Sequence, residues 1–140
     1  MAPDLKASAR DFYDAINRGD FSIIDSLIAD NFVNHESSHL PPNKEGTRAF
    51  FHMMRGAFGD LRGNIEDIIQ EDDKVVVRCT ITGTQTGEFM GMPASNKQVS
   101  FETVEILRVE NGKAVERWGV TDRASIMQQL GGNTQPPPRM

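Results

Sequence analysis

Two periodicities divide the chain. From Asp4 to Asn17 the apolar residues Leu5, Ala9, Phe12 and Ile16 return every three or four positions, the spacing of one helix face. Asp4 stands where an N-cap belongs, and Arg18-Gly19-Asp20 interrupts the pattern. Phe21 to Ala29 predicts a second, short helix capped by Asp20 or Ser22. Asn31 to His35 is short and β-prone, and Pro41-Pro42-Asn43 reads as a loop. Lys44 to Phe58 predicts a third helix with Ala49, Phe50, Met53, Met54 and Phe58 on its apolar side, stopped by Gly59.

The period then shortens. Leu61 to Gln70 is a strand candidate, although Ile65 to Gln70 also fits a helix. Glu71 to Lys74 is a turn, and Val75 to Thr86 is dense in β-branched residues. Gly87 to Asn96 is a loop. Lys97 to Val109 and Ala114 to Thr121 predict two long strands around Asn111-Gly112, a hairpin pair whose turn needs positive φ at both positions. Arg123 to Leu130 predicts a closing helix. Helices first and a hairpin-linked antiparallel sheet second predict an α+β fold, with helices packed on one face of a curved sheet. A sheet so curved and covered makes a cone with a pocket.

The sequence has 140 residues, enough for one domain with a real core, expected over residues 1–131. Residues 132–140, with Pro136-Pro137-Pro138, predict a disordered tail. The single cysteine, Cys79, lies in an apolar β-type run and predicts a buried core thiol. A net charge of −5 with dispersed acidic residues argues against nucleic acid and anionic membranes as partners. No apolar run approaches the length of about 18 residues that a membrane span needs. Met1-Ala2-Pro3-Asp4 lacks the basic start of a signal peptide, so the cytoplasm is the default compartment.

Candidate chemistry concentrates at Gly112 to Gly131. Strand alternation puts Trp118, Val120 and Asp122 on one face. A carboxylate sharing a face with Trp and Val is expected to be desolvated, which raises its pKa toward the range a general acid or base requires. The competing reading is that Asp122 caps the helix beginning at Arg123.

Phe32-Val33-Asn34-His35, Gly87-Glu88-Phe89-Met90-Gly91-Met92-Pro93, Gly112-Lys113, the spacing Trp118 to Asp122, and Gln129-Leu130-Gly131 together resemble the SnoaL-like polyketide cyclase (ester cyclase) family. That family belongs to the nuclear-transport-factor-2-like fold, and the resemblance covers roughly Leu5 to Gly131. It implies a cone-shaped fold with the N-terminal helices on the concave face of the sheet. It implies an enzyme without metal or cofactor that closes a ring by intramolecular aldol condensation. Asp122 matches the family's acid/base aspartate, and His35 matches its histidine on the first short strand. Arg78 matches a frequent strand arginine that could bind an enolate oxygen or pair with Asp122. Trp118, Tyr13, Phe50, Met54, Phe89 and Met92 are the expected substrate-binding side chains. Relatives imply a homodimer through the outer sheet face and a small apolar substrate as the partner. Two departures stand out: Gln85 and Arg117 occupy positions where family members often carry histidine, so neither is carried over as a catalytic residue. Without turnover, the same pocket would serve a small-molecule-binding domain, and fold relatives also include isomerases and hydrolases.

His35-Glu36-Ser37-Ser38-His39 fits the HExxH pattern of zinc proteases. That chemistry needs a helix, and this run follows a β-prone segment and precedes Pro41-Pro42. On a strand the two histidines would stand roughly 13 Å apart, too far to share one metal. No metal site is therefore expected. His35 also admits a purely structural reading, as does Arg78 if it points to the other face.

Overall fold

The computed structural model describes residues 4–36 and 38–131; the predicted tail lies outside the described residues. Helix α1 spans Leu5–Asn17, α2 Ile23–Leu27, and strand β1 Ile28–Asn34. Helix α3 follows at Lys44–Ala57. Strands β2 (Arg62–Glu71), β3 (Lys74–Thr84), β4 (Gln98–Glu110) and β5 (Lys113–Thr121) come next, and α4 (Arg123–Gln129) closes the chain. The five strands form one curved sheet in the order β1-β5-β4-β3-β2. All neighbours are antiparallel except β1 and β5, which run parallel.

Local chemistry sets the helix starts. The Asp4 side chain accepts from the Ala7 amide at 3.1 Å, and Asn43 accepts from Gly46 at 3.0 Å. Each satisfies a donor that the first helical turn leaves without a partner. Leu5, Ala9 and Ile16 of α1 are buried, as their spacing predicts. Asn111 and Gly112 both take positive φ, +52° and +78°, as the hairpin requires.

One element differs from expectation. The predicted second helix ends at Leu27, and Ile28 and Ala29 already belong to β1. Ile28 pairs with Ala114 of β5, so a sheet contact remote in sequence outweighs a local helical preference. The core has three apolar clusters. One lies between α3, α4 and the far ends of β3 and β4 (Phe58, Phe101, Ile126), one under α1 (Leu5, Val75, Val77), and one around α2 and β1 (Ile24, Ile28, Phe32). Between helices and sheet a space remains that side chains do not fill.

Candidate active site

That space is a cavity of about 350 Å³. Its walls come from α1, α3, the rim segment Ser38 to Pro42, the concave face of β3 to β5, and the start of α4. The walls are largely apolar, with Phe12, Phe50, Met54, Phe89 and Ile126 among them. Across the concave face, pairing aligns Cys79 with Thr103 and Thr121, and aligns Glu105 with Gly119. Arg117 is inward as well and lies beside Leu107.

A polar strip crosses this apolar wall. The guanidinium of Arg117 binds Glu105 through Nε at 2.6 Å and Glu36 through Nη1 at 2.6 Å. Nη1 also donates to Asn34 Oδ1 at 3.2 Å. The Tyr13 hydroxyl donates to the other oxygen of Glu105 at 2.7 Å. Burial would lower the pKa of Arg117, but the charges and hydrogen bonds of Glu105 and Glu36 outweigh it and hold the guanidinium firmly charged. At Glu36 burial works toward a neutral carboxyl. The bonds and charge of Arg117, with help from Thr121 and Arg123, overcome it and hold the carboxyl below its usual range. Part of Tyr13 reaches the surface, but its hydroxyl is enclosed, and burial followed by the charge of Glu105 raises the phenol well above its usual range.

The expected site residues divide. Tyr13, Phe50, Met54 and Phe89 line the cavity. Met92 packs against the same cluster and joins Phe89 in a two-residue backbone bridge. His35, Arg78 and Trp118 lie on the outer face of the sheet. Trp118 stacks on His35 with ring centres 5.0 Å apart, and His35 Nε2 is 2.9 Å from Glu116. Arg78 pairs with Asp67 at 2.7 Å and Glu102 at 3.1 Å. Alternation correctly groups Trp118 with Val120, but that shared face is the outer one, with Val120 73% exposed.

Asp122 is therefore not desolvated. It is exposed, and it caps α4 by accepting from the Ser125 amide at 3.1 Å. It stands at the cavity's edge, because its neighbours Thr121 and Arg123 both line the space. Among the described residues it forms no ion pair, whereas Glu36 and Glu105 are both held by Arg117. No group of three metal-ligating side chains occurs among the described residues, and His35 of the HExxH pattern faces outward.

Sequence reasoning missed Glu36 and Glu105 and set Arg117 aside. A signal was present: Glu105 shares strand parity with Val99, Phe101 and Leu107, an otherwise inward set. A lone carboxylate in such a row needs a buried partner, and Arg117 supplies it.

Residues 7–130 match the family model of the SnoaL-like polyketide cyclases. The chain belongs to this family. Among curated SnoaL-like relatives, aklanonic acid methyl ester cyclase DauD of Streptomyces sp. (strain C5) is 25% identical over 136 residues, covering 94% of this chain and 83% of DauD. Among solved structures, AclR of Streptomyces galilaeus, a candidate hydroxylase, is 32% identical with a TM-score of 0.81, covering 90% of this chain and 94% of that one. IdmH of Streptomyces antibioticus, a candidate polyketide cyclase, is 29% identical with a TM-score of 0.81, covering 92% and 99% of the two chains. This SnoaL-like chain thus has the nuclear-transport-factor-2-like fold expected of it. Among its described residues no helix is long and apolar enough to cross a membrane.

Proposed function

We propose that this SnoaL-like protein closes a ring in a small, apolar, carbonyl-bearing ester by intramolecular aldol addition, with Asp122 as the acid/base group. The observation that carries the reading is the cavity edge at Thr121-Asp122-Arg123. There a carboxylate that forms no ion pair among the described residues adjoins an apolar space large enough for part of a flat molecule. Glu36 and Glu105 are both already engaged by Arg117, so neither presents a free carboxylate to the substrate. In this scheme Asp122 takes a proton from a carbon flanked by carbonyls. The resulting carbanion attacks a ketone carbon and forms the C–C bond. The ketone oxygen becomes an alkoxide and recovers the proton from Asp122. Nothing is consumed, so the cycle requires no cofactor. Arg117 is placed to donate to a carbonyl oxygen through Nη2, the guanidinium nitrogen not engaged by Glu105 or Glu36.

The test offers aklanonic acid methyl ester and related ring-open aromatic esters to the wild type and to Asp122→Asn. Ring closure yields a product of unchanged mass and altered retention. Loss of the proton carrier is expected to slow it by about 100-fold or more. Undiminished turnover by Asp122→Asn would sink the assignment.

Binding without turnover is the second reading. Its support is that both carboxylates inside the cavity are already engaged by Arg117. Ligand-induced stabilisation with no isomeric product would favour it. A homodimer through the outer sheet face belongs to the same proposal. Its support is Val104 and Val120, a cross-strand pair exposed by 41% and 73% beside Trp118. A sedimentation mass of one chain would remove it.

A further inference from the structure

Glu36 is the part of the His35-Glu36 pair that the chemistry above leaves unused. The two residues part at the end of β1. His35 turns outward to Glu116, while Glu36 turns into the cavity with its side chain 15% exposed. The Glu36 carboxylate binds two guanidinium groups. Oε1 takes Nη1 of Arg117 at 2.6 Å and Oε2 lies 3.4 Å from Nη2 of Arg123, while the nearby Thr121 hydroxyl helps to hold the carboxyl in its charged form. Thr121 and Arg123 are the chain neighbours of Asp122 on either side. One carboxylate just beyond β1, the neighbour of β5 in the sheet, therefore reaches Arg123 on one flank of the turn that carries Asp122 and lies near Thr121 on the other.

The grip is anchored from below. Glu105 holds the other edge of the Arg117 guanidinium. The Glu36 amide donates to Asn34 Oδ1 at 3.1 Å, the same oxygen that accepts from Arg117. The Asn34 amide in turn donates to the Pro42 carbonyl at 3.0 Å, which ties the rim segment to the same frame. Neutralising Arg117 does not account for this arrangement, because Glu105 already supplies a counter-charge.

We propose that Glu36 is a positioning residue: it fixes the Thr121-Asp122-Arg123 turn against the cavity, and so sets where the Asp122 carboxylate stands. The proposal rests on the reading of Asp122 as the proton carrier. The cap bond to Ser125 fixes Asp122 relative to α4, and Glu36 fixes the start of α4 relative to the cavity. Both are needed, since a catalytic group must be held within about 0.5 Å of its working position.

The experiment compares wild type, Glu36→Gln and Glu36→Ala, with Glu116→Gln as a control for losing a carboxylate on the outer face. Amide hydrogen exchange at residues 121–125 is measured without ligand, and kcat and KM are measured on any ester the wild type converts. Exchange at Ser125 is expected to quicken at least about threefold in Glu36→Ala, with protection in β3 unchanged. In the same variant kcat is expected to fall about tenfold or more while KM stays within about twofold. Glu36→Gln keeps an oxygen that can accept from Arg117 or Arg123, so it should recover part of both losses. Unchanged exchange at Ser125, or wild-type kcat in a folded Glu36→Ala, overturns the proposal. If the wild type converts none of the esters, the proton-carrier reading fails in the wild type itself. The exchange data then decide alone whether Glu36 holds the turn.

Discussion

Arg117 lies flat over Gly119: a methyl group at Gly119 would stand 2.5 Å from Nη2 and 2.6 Å from Cζ of that side chain. Gly119 pairs with Glu105 across β4 and β5, so the missing side chain opens the space through which the guanidinium reaches its carboxylate. Gly119→Ala should force the guanidinium out of its bonds with Glu105 and Glu36. Breaking a buried pair costs about 3–5 kcal/mol, and partial relaxation should leave roughly 2 or more in urea unfolding. In an Arg117→Met background the same change should cost much less. Equal costs in the two backgrounds would show that Gly119 serves some purpose other than admitting Arg117.

Acid should loosen the cavity network through Glu36. Its carboxyl titrates lower in the folded state than in the unfolded chain, so the unfolded chain binds the proton more readily. The stabilisation is then complete above the unfolded value, about 4.3, and is lost as pH falls through the lower folded value. Stability measured from pH 6 down to 3 should decline less steeply in Glu36→Gln than in wild type. Parallel slopes would mean that Glu36 contributes nothing to the acid response.

Tyr13 is the only tyrosine, which makes its phenol directly visible in the ultraviolet. Burial and Glu105 keep it protonated beyond the usual range. A raised folded value means that this stability is fully present below the unfolded value near 10 and is lost as pH rises through the folded one. Tyrosinate absorbance should therefore be missing from folded protein at pH 10.5 and appear on unfolding. Normal titration of the folded protein would show that the hydroxyl is open to water. Tyr13→Phe removes a hydrogen bond to a charged group and should cost about 1.5–3 kcal/mol.

Capping and chemistry at Asp122 can be separated by choice of substitution. Asparagine caps a helix about as well as aspartate, so Asp122→Asn should unfold close to the wild-type temperature. Asp122→Ala loses the bond to the Ser125 amide and should cost about 1 kcal/mol. Thermal unfolding of both variants checks this, and a large loss in Asp122→Asn would mean that the carboxylate's charge, not its shape, supports α4.

The thiol of Cys79 is pushed up to about 11, first of all by burial. As the single cysteine, it should react with a disulfide reagent only when the protein unfolds. Rapid reaction in the native state would place an opening above β3.

Much of this was readable from the chain, and the failures share a cause. The face of α1, the hairpin at Asn111-Gly112 and the capping by Asp4 depend on residues close in sequence, and pattern alone finds them. Alternation likewise told that Trp118 and Val120 share a face of β5, and the structure puts Arg117 and Gly119 on the other. It did not tell which face looks inward. The more apolar pair turned outward, because the inner wall had to meet Glu105 and leave room beside it. That requirement comes from β4, about a dozen residues away, and from Glu36, just past the end of β1, a strand that joins β5 only in the fold. Pairs of this kind offset each other's charge across the sheet, and no window along the chain contains both.

The cavity also has a mechanical consequence. A folded protein with unfilled internal space occupies more volume than its unfolded chain in water, so hydrostatic pressure favours unfolding. This chain should yield at modest pressure for its size. A molecule that fits between Phe50, Phe89 and Arg117 would occupy that space and make the folded protein harder to compress out of shape.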